Sequence, residues 1–261
     1  MGCASQSGTQ VAQNPVPPPD TKSDNDLPKR KPKAATCVAF GDLQLKTAQE
    51  PDKTAVQKEH MLDMARKYFQ QAIRTDSNCV GAYLGLAKTY ETLGDYERTL
   101  DTYQKGLKAL PKDASLMYEL GMTQARHKDW SPALANLKNA VILDPENRSY
   151  QTTVAYTLAR VGRFDESYTY FKKLVGETQA HYNLARMLQH VNDFEASQQH
   201  LRLALQINPQ FTPARQFLAE MEAASRGEIK TAAAVSFQSL DEVAPLNNGN
   251  SPGYNGPKGG R

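Results

Sequence analysis

The segment that decides the fold runs from Val80 to Pro111 and reads VGAYLGLAKTYETLGDYERTLDTYQKGLKALP. Its apolar and small residues recur at intervals of three and four, which places them on one face of an α-helix. This pattern breaks at Gly94, a residue type suited to the left-handed conformation that ends many helices. A second apolar run follows and stops before Pro111, a residue type that interrupts helices. The segment therefore predicts two helices joined by a tight turn.

The same pattern returns downstream at a fixed interval. Pro111 and Pro145 are 34 residues apart, and Pro209 follows after a further 64 residues, which is two such units with four residues missing. An ordinary helical bundle does not require a fixed period. Aligned on these prolines, four units begin at Val80, Ala114, Arg148 and Thr178.

Three places in the aligned units hold a restricted set of residue types. The eighth and twentieth places are small, which lets two helices approach each other closely, and the seventeenth place is aromatic. The eighth place holds Ala87, Gly121, Ala155 and Ala185, the twentieth holds Thr99, Ala133, Ser167 and Ser197, and the seventeenth holds Tyr96, Trp130, Phe164 and Phe194.

A helix–turn–helix repeat of this length with these places resembles the tetratricopeptide repeat (TPR) family. The resemblance implies an all-α fold, a right-handed α-solenoid of about five TPR helix pairs with a C-terminal capping helix and disordered termini. The fourth unit is four residues short, so its second helix is predicted to end near Val175. The predicted array covers residues 36–226, with units at 36–79, 80–113, 114–147, 148–177 and 178–211 and the cap at 212–226.

The two ends of the chain have compositions typical of disorder. Residues 1–35 hold six prolines and the basic run Lys29–Lys31, which predicts a disordered Pro/Lys-rich linker because such a segment buries little apolar surface. Residues 227–261 are rich in Gly, Asn and Pro and are predicted to form a disordered tail. Within the tail, Lys230–Val243 is rich in alanine and is predicted to form a short helix or a partner-binding motif.

The sequence Met1-Gly2-Cys3 has three interpretations. A small residue before Cys3, followed by a polar tether, resembles the lipidation junction of bacterial lipoproteins, and makes Cys3 a candidate lipidation site. Gly2 is alternatively a myristoylation site, although Gln6 stands where that motif has Ser or Thr. The third interpretation is an unmodified start. The first is favoured and predicts a protein anchored in the bacterial cell envelope, with the cytoplasm as the alternative location.

Composition and motifs argue against several functional classes. A formal net charge of +3 does not favour nucleic-acid binding over the whole surface. The sequence has no apolar run near the ~18 residues of a membrane-spanning helix, so membrane association is predicted only through a lipid anchor at Cys3. It also lacks a phosphate-binding loop, a zincin motif and metal-ligand spacing among its Cys and His residues. We therefore predict no catalytic, cofactor-binding or metal-binding residues, no cofactor, and a protein that is not an enzyme.

The resemblance implies a partner-binding groove lined by the first helix of each unit. Tyrosine combines apolar area with a hydroxyl group, and arginine pairs with carboxylates, so this groove predicts a protein or peptide partner with acidic character. Arg126 and Arg160 are expected to be exposed, and the alternative for each tyrosine is packing between units. The predicted groove residues are Leu84, Lys88, Tyr118, Met122, Arg126, Thr152, Tyr156, Arg160, Tyr182, Arg186 and His190.

Two functional hypotheses follow from this groove. The first is a non-enzymatic scaffold or adaptor. The segments TLARVGRFDES and AHYNLARML are similar to bacterial extracytoplasmic TPR proteins, some of which are lipoproteins that serve pilus assembly. The second is a self-assembling subunit of an envelope or pilus-assembly complex, an oligomer in which the Lys230–Val243 segment fills the groove of a neighbour. The groove lacks the Lys and Asn set of chaperone-binding TPRs, because Leu84 and Lys88 occupy those places.

Cys37 and Cys79 are candidates for a disulfide bond. Each is predicted to start a first helix, and neighbouring helices lie ~8–10 Å apart. A disulfide requires Cα atoms within about 7 Å, which flexible helix ends can reach. In a reducing compartment the two residues are instead expected to be small buried thiols.

Overall fold

The structure is a computed structural model that describes residues 32–226. Within this range the chain forms eleven α-helices and no β-strand. The helices are α1 Ala34–Ala48, α2 Ala55–Thr75, α3 Val80–Thr92, α4 Tyr96–Ala109, α5 Ala114–Arg126, α6 Trp130–Leu143, α7 Arg148–Arg160, α8 Phe164–Val175, α9 Glu177–His190, α10 Phe194–Ile207 and α11 Thr212–Ser225.

These helices form an all-α solenoid of five pairs and a final capping helix. Each pair packs together, from α1 with α2 to α9 with α10, and the first helices also contact each other, as α1 does α3, α3 does α5 and α7 does α9. The capping helix α11 contributes Ala214 and Met221 to an apolar cluster with Ala185, Leu201 and Ala204. The cap therefore covers the apolar side that the last pair would otherwise leave in water.

The turn inside each of the last four pairs places one residue in the left-handed region. Gly94 has φ 74°, Lys128 has φ 64°, Gly162 has φ 78° and Asn192 has φ 61°. All four residues hold the fifteenth place of their units. Glycine adopts this conformation without a steric penalty and asparagine tolerates it, whereas Lys128 adopts it at a cost of about 1–2 kcal/mol. The turn thus keeps the same backbone geometry in the two units where another residue replaces glycine.

The small residues of the eighth and twentieth places lie at the closest approach of paired helices. A Cβ atom added to Gly121 would lie 2.8 Å from Leu137 Cγ and 3.0 Å from the carbonyl oxygen of Ala133. In the last two pairs the twentieth place also supplies a hydrogen bond between helices. Ser167 Oγ donates to the carbonyl oxygen of Ala155 at 2.8 Å, and Ser197 Oγ donates to that of Ala185 at 2.8 Å.

The first pair is joined to the second by a phenylalanine held between two glycines. Phe69 of α2 is fully buried, and its ring faces Gly41 of α1 and Gly85 of α3. A Cβ atom at Gly41 would lie 2.6 Å from this ring, and one at Gly85 would lie 2.2 Å from it. Both glycines are therefore required by packing space rather than by backbone conformation.

The boundaries of the array differ little from those expected. Helix α1 begins at Ala34, so the last two residues assigned to the linker are helical. Helix α8 ends at Val175, and Gly176 alone separates it from α9. The predicted disordered linker, the predicted disordered tail and the candidate lipidation site Cys3 lie outside the described residues, apart from the linker's last residues. No described helix is both long enough and apolar enough to cross a membrane.

Replacing Gly85 with alanine tests the packing of the first pair. The new Cβ atom would overlap the Phe69 ring, so we expect Gly85→Ala to lower the free energy of unfolding by about 1–3 kcal/mol. Gly81 on the same helix is the matched control, because its Cβ atom would make an ordinary 3.5 Å contact with Val38. Chemical denaturation followed by circular dichroism measures both. Equal stabilities of the two variants would contradict this packing.

Candidate partner-binding face

The predicted groove residues lie on the first helices α3, α5, α7 and α9, and together they define the first-helix face. Lys88, Arg160 and His190 are exposed, and Met122 is buried with 7 % of its surface accessible. The remaining seven residues are half-buried. The face therefore offers solvent-accessible cations between side chains that also pack within the array.

The tyrosines of the face pack against other aromatic rings. Tyr118 stacks on Tyr150 with ring centroids 4.4 Å apart, and its hydroxyl lies 3.0 Å from Thr153 Oγ1. Tyr156 meets Phe171 edge to face with centroids 4.9 Å apart. Burial raises the pKa of Tyr156, and the nearby Arg186 charge opposes that shift. The rings thus take part in packing between helices, while half-buried edges remain at the surface.

The end of the face formed by α3 and α5 contains a carboxylate that the sequence analysis did not single out. Glu91 accepts a hydrogen bond of 2.9 Å from Lys88 Nζ and contacts the Arg126 guanidinium and, at 3.4 Å, the Thr123 hydroxyl. Burial raises the pKa of Glu91, but the hydrogen bond from Lys88 and the charge of Arg126 outweigh it and leave the pKa lowered. Arg126 is thus half-buried, with 25 % of its side chain accessible, and not exposed as expected.

Glu91 could have been found from the repeat. It holds the twelfth place of its unit, one of the places that face the groove in TPR proteins, but alanine or glutamine holds that place in the following three units. Its contact with Arg126 joins neighbouring first helices. This contact partly neutralises the α3–α5 end of the face.

The other end of the face, formed by α7 and α9, is cationic. Burial lowers the pKa of His190, and the nearby charges of Arg186 and Arg160 lower it further. Helix α7 contains no Asp or Glu, and the single acid of α9 is Glu177 at its first position. Glu177 is hydrogen-bonded to α8, since Lys172 Nζ and the Tyr168 hydroxyl of that helix each donate to it at 3.0 Å. A carboxylate arriving here would meet positive charge.

A histidine pair joins α9 to α10 on the side of Glu177. His181 Nδ1 lies 2.9 Å from His200 Nδ1, and His181 Nε2 lies 3.3 Å from the Tyr168 hydroxyl. One set of tautomers satisfies every contact: His200 donates to His181, His181 donates to Tyr168, and Tyr168 donates to Glu177. No group of three His, Cys, Asp or Glu residues that could hold a metal occurs within residues 32–226.

Both histidines of the pair favour their neutral forms. Burial lowers the pKa of His181, and the charge of Lys172 adds to this effect while that of Glu177 opposes it. Burial also lowers the pKa of His200, as does the charge of His181, whereas Asp165 acts in the opposite direction. If both rings were protonated at once, their hydrogen bond would be lost and two cations would be in contact.

Cys37 and Cys79 both carry free thiols in this structure. Cys37 is buried with 2 % of its surface accessible, and half-buried Cys79 packs against the same small apolar cluster, which includes Ala72 and Ala82. The two residues therefore lie in one cluster between the first and second pairs. The disulfide bond between them stays a prediction.

The described helices and the first-helix face define a helical-repeat protein built to present a row of parallel first helices. Residues 55–114 and residues 178–211 each match a tetratricopeptide repeat model, and the chain belongs to the tetratricopeptide repeat family. Repeats of this family form scaffolds for protein–protein interaction. No curated protein matches the chain in sequence.

Solved TPR structures share the fold. PilF of Pseudomonas aeruginosa is 18% identical, with a TM-score of 0.50 over 77% of this chain and 89% of PilF. A MamA protein is 16% identical, with a TM-score of 0.49 over 75% of this chain and 96% of MamA. YrrB, described as a TPR protein with an unusual peptide-binding site, is 23% identical, with a TM-score of 0.48 over 70% of this chain and 91% of YrrB. At these identities the likeness concerns the fold alone.

A double-mutant cycle tests the link between α3 and α5. Because Glu91 and Arg126 are mostly shielded from water, we expect Glu91→Ala and Arg126→Ala to show a coupling energy on the order of 1 kcal/mol in urea unfolding. The exposed pair Lys105–Asp101 within α4 is the control and should show a smaller coupling. Independent effects of the Glu91 and Arg126 substitutions would exclude the contact.

The histidine pair predicts a loss of stability in mild acid. Since the folded state lowers the pKa of His181 and His200 below the ~6.5 of the unfolded chain, protons bind the unfolded chain first as the pH falls. We expect the melting temperature to drop from about pH 7 to about pH 5. His200→Gln should reduce this slope, and His60→Gln, at an exposed position on α2, should leave it unchanged. An unchanged slope in His200→Gln would refute the assignment.

Proposed function

We propose that this protein is a non-enzymatic scaffold that holds an extended segment of a partner protein against the first-helix face. The observation that supports this proposal is the positive charge of Arg160 and Arg186 beside His190, whose pKa both charges lower. Arginine binds carboxylates through paired hydrogen bonds, so a carboxylate of the partner is attracted to this end of the face. The partner segment is therefore acidic where it crosses α7 and α9.

The two ends of the face favour different parts of such a segment. At the α3–α5 end, Glu91 already accepts from Lys88 and contacts Arg126, so a second carboxylate gains little there. Half-buried tyrosines such as Tyr156 on α7 and Tyr182 on α9 lie on the same helices as Arg160 and Arg186, where they offer apolar edges and hydroxyl groups. The partner segment is thus neutral where it crosses α3 and α5, and it carries acidic and aromatic residues where it crosses α7 and α9.

We also propose, from the sequence Gly2-Cys3 alone, that the scaffold is attached to a bacterial envelope membrane by a lipid on Cys3. Cys3 lies outside the described residues. An anchored array would hold its partner near the membrane surface.

Matched peptides test the binding proposal. The experiment compares two sets of fluorescein-labelled peptides of about 12 residues. The acidic peptides carry Asp or Glu beside Tyr and Pro, and the control peptides carry Lys at the acidic positions. We expect the acidic peptides alone to bind, with an affinity that falls as salt is raised. Arg160→Glu combined with Arg186→Glu should weaken binding at least tenfold, because each charge-assisted hydrogen bond contributes about 1.5–3 kcal/mol.

Lys173→Glu is the matched control for this charge reversal, because Lys173 is exposed on α8, outside the first-helix face. It should leave the peptide affinity unchanged. Circular dichroism spectra of all variants establish that the helices are intact. Equal binding of acidic and lysine peptides, or an equal loss in Lys173→Glu, would count against the proposal.

A further inference from the structure

The chain leaves the described array beside the cationic end of the first-helix face. Helix α11 stands next to α9 in the row of first helices, since the Phe217 ring of α11 meets the Tyr182 ring of α9 with centroids 6.2 Å apart. In the repeat register, Ala224 of α11 holds the place that His190 holds in α9 and Arg160 holds in α7. The last turn of α11 therefore lies at the same edge of the row as His190 and Arg160.

The residues that follow α11 are long enough to cross this end of the face. Neighbouring helices pack about 8–10 Å apart, so Arg160 lies about 20 Å from the end of α11, across two helix spacings. The chain from Arg226 to Asp241 spans up to about 50 Å when extended and about 22 Å as a helix. Either conformation brings Asp241 to Arg160 without strain on the array.

The chemistry of the same segment matches the face. Leu240 is followed directly by Asp241 and Glu242, the last two acidic residues of the chain, and Phe237 lies three residues before Leu240. The carboxylates complement the positive charge of Arg160 on α7 and of Arg186 on α9. The apolar pair fits the half-buried tyrosine edges beside that charge.

We propose that the segment Lys230–Val243 occupies the α7–α9 end of the first-helix face of its own chain and that a partner must displace it. The inference rests on the binding site of the proposed function. A short tether gives the segment an effective concentration of about 1 mM, so an intrinsic Kd of ~10–100 μM would weaken partner binding about 10–100-fold. The segment thus sets a threshold that selects partners with greater affinity or higher local concentration.

The test uses full-length chains and a labelled synthetic peptide of residues 230–243. In the variant Asp241→Lys with Glu242→Lys, the tethered segment loses its complementary charge, so we expect the peptide to bind at least tenfold more tightly than to the unaltered chain. Adding Arg160→Glu and Arg186→Glu to this variant should abolish binding. Lys258→Glu, a charge reversal of a tail residue outside the segment, is the control and should bind the peptide as weakly as the unaltered chain.

Two results would overturn the inference. Equal peptide affinities for the unaltered chain and the Asp241→Lys, Glu242→Lys variant, including no binding to either, would show that the segment does not occupy the face. A concentration-dependent oligomer in sedimentation velocity that dissociates in this variant would assign the segment to the face of a second copy.

The acidic foreign peptides separate this inference from the proposed function. If they bind the unaltered chain and the tail variant equally well, the scaffold proposal stands and the inference fails. If they bind neither form while the 230–243 peptide binds the tail variant, the inference stands and the face serves the chain's own segment. A gain in foreign-peptide affinity in the tail variant supports both.

Discussion

The close contact between paired helices in the three pairs from α5 to α10 is the constraint on which the array depends. It occurs where the eighth and twentieth places meet, and at Gly121 even a methyl group would press on Leu137 and on the Ala133 carbonyl. Where the twentieth place is serine, its hydroxyl bonds to the carbonyl of the opposite helix at Ala155 and Ala185. Since three successive pairs repeat this contact, their second helices hold the first helices in one orientation, so equivalent places fall in rows.

Those rows determine the electrostatics of the first-helix face. Arg126, Arg160 and His190 hold the same place in three successive units, so their side chains lie at one edge. Glu91 pairs with Arg126 and removes much of its charge from that row, whereas α7 supplies no acid that could do the same for Arg160. The face is therefore less positive at α3 and α5 than at α7 and α9, and the position of a single carboxylate makes this difference.

The period of the sequence carried enough information to predict the fold, because each place recurs in several units and local helix signals agree with it. Contacts between particular side chains carry no such repetition. The Glu91–Arg126 and His181–His200 contacts join residues of different helices whose side chains meet once in the described array. Periodicity also cannot tell a tyrosine that faces solvent from one, like Tyr118, whose ring is stacked on a neighbour in the next unit. The sequence thus predicted which helices carry these residues, but not the charge balance among them.

The single residue between α8 and α9 has a consequence for how the array comes apart. The other helix pairs from α3 onward are separated by four residues or more, such as 110–113 and 144–147, which allow one pair to unwind while the next stays intact. Gly176, with φ 81°, is the whole connection between α8 and α9, so fraying at the end of α8 directly disturbs the start of α9. The fourth and fifth pairs should therefore behave as one cooperative block in a protein whose other units can open one at a time.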